Sequence, residues 1–218
     1  MSKDIDYLNK LRSSYSDLHY TIVECINDLS SYEVKRFESN DCFYKHNVQL
    51  LSDFMKEIDR AEQSIKSKSR FSRLFSSDDS INNLQSMLNR LEPKFDQLML
   101  CSKCACFKCV RDCYFDPCKE CRMGSHILSC NKDEYNVRTF KDYIVPLINN
   151  DTGKESRYEA LAIIEIEDDK RFIFLQNLVN QDDKLILEYI PKIRGIEYGE
   201  ITDVDLFDRL VSIYKKEC

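Results

Sequence analysis

Eight of the chain's eleven cysteines fall in the run CSKCACFKCVRDCYFDPCKECRMGSHILSC, from Cys101 to Cys130. A thiolate is both a soft metal ligand and a nucleophile, so this density points to metal binding or thiol chemistry. Three CxxC pairs occur: Cys101/Cys104, Cys106/Cys109 and Cys118/Cys121. Two thiolates at that spacing share one tight knuckle and reach a single tetrahedral ion at a Zn–S distance of about 2.3 Å. With Cys113, His126 and Cys130 there are nine candidate ligands, one more than two closed four-ligand sites use. A two-ion zinc site with a spare ligand or a bridging thiolate is the consequence. The spacing favours Cys101 and Cys104 joining Cys118 and Cys121 as a CxxC-x13-CxxC ribbon. Cys106, Cys109 and Cys113 then take His126 or Cys130 as the fourth ligand of a second ion.

The segment has few large apolar residues of its own: Phe107, Val110, Tyr114, Phe115, Met123, Ile127 and Leu128. A structural ion makes up the deficit, since zinc in finger peptides supplies on the order of 10–16 kcal/mol of apparent binding free energy. Pro117 and Gly124 suit tight turns around ions. An iron–sulfur cluster also uses four thiolates, and Cys106, Cys109 and Cys113 echo part of a ferredoxin run, but Cys104-x-Cys106 breaks the usual spacing. A thiol switch that releases zinc on oxidation is chemically open. A catalytic zinc keeps an open position and favours histidine, whereas here ligands are in surplus and histidine is scarce.

Stepping outward from the cysteines, residues 1–100 contain no glycine and carry apolar residues at spacings of three and four. The stripes are Leu8, Leu11, Tyr15, Leu18, Ile22, Cys25, Leu29 and Tyr32; then Leu51, Phe54, Ile58, Ala61 and Ile65; then Ile81, Leu84, Leu88, Leu91, Phe95 and Leu98. This predicts an antiparallel helical bundle of three amphipathic helices. Ser39, Asn40 and Asp41 suit the first break and Ser77 or Asp78 the second, while Pro93 should kink or restart the third helix.

After the knuckle (101–131), residues 132–218 change period. YEALAIIEIE, KRFIFLQNL and KLILEYIPKI read as strands, NVRTFKDYIVPLI as a further strand that Pro146 confines to an edge or ends, and GIEYGEI as a short strand. Thr202 to Asp205 resembles a capping box opening a helix whose apolar face holds Leu206, Leu210, Val211 and Ile213 or Tyr214. The whole is an α+β multidomain chain: bundle, cysteine-rich knuckle, and a small domain of antiparallel sheet plus C-terminal helix.

Residues 156–217, through YEALAIIEIEDDKRFIFLQNL, LILEYI and GEITDVDLFDRLVSIYKK, resemble the YrzB-like small acidic bacterial domain of unknown function. Ile201, Asp203, Asp205 and Phe207 fit its helix-start pattern, while Glu200 stands where that family usually has proline. The resemblance implies a bacterial, cytoplasmic origin and brings no catalytic residues.

The net charge is −6. Residues 1–100 carry 14 basic and 16 acidic side chains, 101–130 carry 5 and 3, and 131–218 carry 13 and 19. No clustered Lys/Arg excess of the kind nucleic acid requires is present, which disfavours that class. The opening MSKDIDYLNK lacks a basic stretch followed by an apolar run, and no window approaches a membrane span, so a cytoplasmic protein is expected. KSKSRFSRLF, Lys66 to Phe75, reads first as a solvated inter-helix loop and second as an anionic-surface contact. His19 and His46 lack ligand-spaced neighbours, Cys25 falls in a core slot, Cys42 lies in a turn and Cys218 ends the chain. Asp168/Asp169 and Asp182/Asp183 fall where turns belong. No phosphate loop, nucleophile elbow or HExxH motif occurs.

The resulting expectation is a non-enzymatic zinc-binding adaptor for a protein partner, with a second copy able to engage through the long first helix. The alternative is a metal- or redox-responsive regulator. A third reading is a zinc-knuckle nucleic-acid binder using Lys103, Lys108, Arg111, Lys119 and Arg122.

Overall fold

A computed structural model describes residues 3–27, 43–67, 79–107, 109, 115, 121–150, 152–167 and 170–218. The chain divides into two compact units, Met1–Ser102 and Lys103–Cys218.

The first unit holds α1 (Lys3–Asn27), α2 (Phe43–Ser67) and α3 (Asp79–Lys103). The apolar stripes become its core: Leu8, Ile22, Leu51, Phe54, Ile58 and Leu98 are fully buried. Tyr15, Phe54 and Phe95, one from each helix, meet with ring centroids 5.2–5.5 Å apart. Partners along α1 and α2 run in opposite directions. Arg12 pairs with Asp59 at 2.8 Å and Glu62 at 2.5 Å, while His19, seven residues on, meets Ser52 Oγ at 3.1 Å. Against α3 the order is parallel, since Tyr7 donates to Gln85 and Tyr15 meets Phe95. The helices therefore run up, down and up.

Of the two expected effects of Pro93, a restart does not occur, since α3 runs through it as one helix. It lies on the exposed side with Asn89, the residue whose carbonyl loses its helical partner, so water can meet the freed oxygen. Leu29, Tyr32, the turn residues 39–41, Ser77, Asp78 and residues 68–75 of the basic loop lie outside the described residues. Lys66, at the start of that loop, pairs with Glu62 at 2.5 Å.

The second unit is a seven-stranded antiparallel sheet with one helix: β1 (Ser125–Cys130), β2 (Tyr135–Phe140), β3 (Ile144–Ile148), β4 (Glu155–Ile166), β5 (Lys170–Asn177), β6 (Lys184–Lys192), β7 (Gly195–Gly199) and α4 (Val204–Glu217). The strand order is β1-β2-β4-β5-β6-β7, with β3 also on β4. NVRTFKDYIVPLI, expected as one strand, is two. Both lie along one edge of the twelve-residue β4, β2 on Ala162–Ile166 and β3 on Glu155–Glu159. Pro146 sits in β3 opposite Arg157, a position with no further strand beyond it.

A register shift at Leu161 divides β4 again. Before it Tyr158 and Ala160 face one side with Leu175; after it Ala162, Ile164 and Ile166 face the other with Phe172 and Phe174. Helix α4 covers the second face through Leu210 and Ile213, with Tyr214 stacked on Phe174 at 4.5 Å. Leu206 packs beside them, and Val211, expected on that face, is not among the residues in the cluster. The helix N-cap is Asp203, whose carboxylate accepts from Leu206 N at 3.1 Å, rather than Thr202.

The opposite face curls on itself. Tyr143, just before β3, hydrogen-bonds Tyr189 of β6 and Tyr198 of β7, which lie three and four places away in the strand order. Burial in this aromatic cluster raises the pKa of both Tyr189 and Tyr198. Asp182 and Asp183 occupy the β5–β6 turn, where Asp183 accepts from Tyr158 Oη at 3.1 Å and Asn177 Nδ2 at 2.9 Å.

Candidate metal centre

Helix α3 delivers the first cysteine of the segment. Cys101 is buried in its last turn, with Gln97 Nε2 donating to its sulfur at 3.6 Å. The chain then turns tightly, Phe107 N bonding Cys104 O at 2.9 Å and Cys109 N bonding Cys106 O at 3.2 Å. This turn docks on the free edge of β1: Ala105 N donates to Ile127 O at 2.8 Å, and Ile127 N donates to Cys104 Sγ at 3.4 Å. An otherwise open sheet edge is thereby covered.

The same contacts prepare a thiolate. Cys104 is lowered from the ordinary 9.0 to about 6, first by the thiol of Cys106. The backbone amides of Cys106 and Ile127 and the charge of Arg138 act in the same direction, against burial. Metal ligation requires the deprotonated form, so these groups suit a ligand. Because the folded value is depressed, the stability it contributes is complete above the ordinary thiol range and is lost as pH falls through about 6. In metal-free protein, brief alkylation followed by peptide mapping should show Cys104 modification half-maximal near pH 6. A midpoint near the ordinary 9.0 would remove the proposed thiolate stabilisation.

Cys121 begins a locked turn. Ser125, fully buried, bonds the backbone of Arg122 in both directions at 2.8 and 3.2 Å, and its Oγ lies 3.7 Å from Cys121 Sγ. Gly124 has φ +80, and a Cβ there would lie 2.9 Å from the backbone oxygen of Lys141. Gly124→Ala is therefore expected to destabilise the second unit by about 1–3 kcal/mol, read as a lower urea midpoint at unchanged slope. An unchanged midpoint would mean that the turn opens without cost.

The remaining two described candidates separate. β1 pairs His126 with Thr139 and Cys130 with Asn136, with one residue, Leu128, added between Ile127 and Ser129. Without that bulge residues four apart share a face; with it His126 and Cys130 lie on opposite faces of the strand. His126 Nδ1 lies 3.4 Å from Thr139 Oγ1, and its pKa is lowered by burial and then by Lys103, which favours the neutral ring.

The structure thus brings Cys104 and Cys106 into contact, although the spacing assigns them to different ions. Cys113, Cys118, Lys108, Arg111, Lys119 and Cys42 lie outside the described residues, and the side chains of Cys25 and His46 are not described. Among the described residues no three Cys, His, Asp or Glu side chains form a metal-binding group, and no helix is long and apolar enough to cross a membrane.

A second cluster was not anticipated. Asn136, Arg138, Glu165 and Arg171 line a cleft on the sheet face away from α4, together with Tyr189 and Arg122. Its only trace in sequence is a charged residue at alternate positions of apolar strands, as in Arg138 and Glu165. Comparison of the chain with family models, with curated proteins and with solved structures yields no match.

Proposed function

We propose that the chain is a non-enzymatic, zinc-binding adaptor of the bacterial cytoplasm that joins a helical unit to a YrzB-like sheet unit and engages a protein partner. The observation that carries this reading is the docking of the Cys104 turn on β1, with Ile127 N–H directed at the sulfur and Cys106 beside it. A thiolate held by backbone amides on a sheet edge suits a structural ligand, and an ion there would tie the cysteine segment to the sheet. Cys101, Cys104, Cys106, Cys109, Cys113, Cys118, Cys121, His126 and Cys130 remain the candidate donors, and only one of His126 and Cys130 can join Cys106, Cys109 and Cys113 at a shared ion. Zinc would supply folding free energy there, without an open position for catalysis.

The test is metal analysis of protein purified without added metal, with an absorption spectrum of the same sample. About two zinc per chain and no visible colour support the reading. Iron with acid-labile sulfide overturns it in favour of a cluster protein.

The contact between Cys104 and Cys106 favours a second reading, a redox-responsive regulator, because a thiol titrating near 6 is ionised at neutral pH. Zinc release at low peroxide with a change in oligomeric state selects that reading; zinc retention with capture of a discrete protein selects the adaptor.

A further inference from the structure

Helix α4 carries two apolar stripes, and the sheet uses mainly one of them. Leu206, Leu210 and Ile213 turn onto the strands. Val204, Phe207, Val211, Tyr214 and Cys218 recur at alternating spacings of three and four along the adjacent flank. Tyr214 is stacked on Phe174 and Val211 is half-buried, whereas Val204 and Phe207 are 71 % and 40 % exposed. Apolar residues scattered singly over a surface call for no partner. An alternating three-four repeat sustained over about four turns is the seam that one helix offers to another.

The charges beside the seam select which helix that is. Asp208 directly follows Phe207 and Lys215 directly follows Tyr214, so the two lie seven residues apart on one side of the seam, both exposed. Among the described residues the ion pairs of α4 are Arg209 to Glu167 and Lys216 to Glu217, which leaves Asp208 and Lys215 without one. When two such helices lie antiparallel about Val211, the seam matches itself. Val211 faces the partner's Val211, and Phe207 faces the partner's Tyr214. Asp208 then comes beside the partner's Lys215, and by symmetry Lys215 comes beside the partner's Asp208, so opposite charges meet twice. We propose that the exposed flank of α4 is a homodimer seam, in which a second copy of this chain pairs antiparallel about Val211. None of the candidate metal ligands lies in the seam, so the proposal stands apart from the zinc reading. One helix pair buries little area, so the dimer is weak and forms in a concentration-dependent way.

Sedimentation equilibrium of the full chain tests this, from low micromolar to several hundred micromolar, with a reductant present so that thiols cannot cross-link copies. A reversible monomer–dimer equilibrium is expected. Asp208→Lys sets lysine against lysine at two contacts, and Lys215→Asp sets carboxylate against carboxylate. Each should raise the dissociation constant about tenfold. The double variant carrying both changes should restore dimerisation, and an equimolar mixture of the two single variants should form a heterodimer tighter than either homodimer. Loss of folding cannot imitate that recovery, because each chain in the mixture keeps its own substitution. A monomer at every concentration overturns the proposal and leaves the seam to a helix of another protein. A dimer indifferent to both single variants overturns it by placing the contact elsewhere, and failure of both the double variant and the mixture to recover overturns the antiparallel register.

Discussion

Stripping zinc from the metal-loaded protein with a chelator is expected to release the cysteine segment from the sheet edge and to expose the amides of β1. The segment's own apolar residues are few, and its described hold on β1 includes two backbone-mediated contacts, Ala105 N to Ile127 O and Ile127 N to Cys104 Sγ. If an ion supplies on the order of 10–16 kcal/mol of apparent binding free energy, its loss exceeds the whole stability of an ordinary domain, about 5–15 kcal/mol. The effect is local because β2, β4, β5 and α4 keep their own core of Val137, Ile164, Phe172 and Leu210. Hydrogen exchange should therefore accelerate by orders of magnitude at Ser125–Cys130 and change little in β4 and β5. Unchanged exchange in β1 after verified metal loss would exclude a structural ion at this edge.

Phe54→Ala is expected to cost the first unit about 3–5 kcal/mol, the range for truncating a fully buried phenylalanine. Phe54 has no exposed surface, and its ring meets both Tyr15 and Phe95, so one truncation removes a ring contact from two of the three helix pairs. The second unit has separate cores, so the variant should unfold in two steps, with helical signal lost at lower urea and the stacked Tyr214 environment preserved. A single coincident transition for both signals would show that the units unfold as one.

The helical stripes translated directly into burial. Leu51, Phe54, Ile58, Ala61 and Ile65 are all at most 4 % exposed, because a spacing of three and four places neighbours on one helix face whatever packs against it. Four long apolar or mixed runs likewise became β4, β5, β6 and α4. Pro93 does not restart α3, since the cost of the freed carbonyl depends on whether it faces water, and Asn89 is exposed. SHILSC does not announce an edge strand, because its six residues put Ile127 and Leu128 side by side between Ser125, His126 and Ser129 and so show no period of two.

The candidate ligands were legible by type and spacing, since nearby cysteines remain neighbours in any fold. Their grouping was not. Leu128 inserts one residue into β1 and sends His126 and Cys130 to opposite faces, and Leu161 reverses the faces of β4 in the same way. The arginine cleft was hidden for the same reason: Arg138 lies far along the chain from Glu165 and Arg171, and the three share a face only through the pairing of β2, β4 and β5. What the amino-acid order determined by itself was periodic and local: helices, strand-forming runs and a thiol-rich segment able to hold metal. Which side chains meet across strands was decided by register, bulges and curling of the sheet, because those are set by packing between residues far apart in the chain.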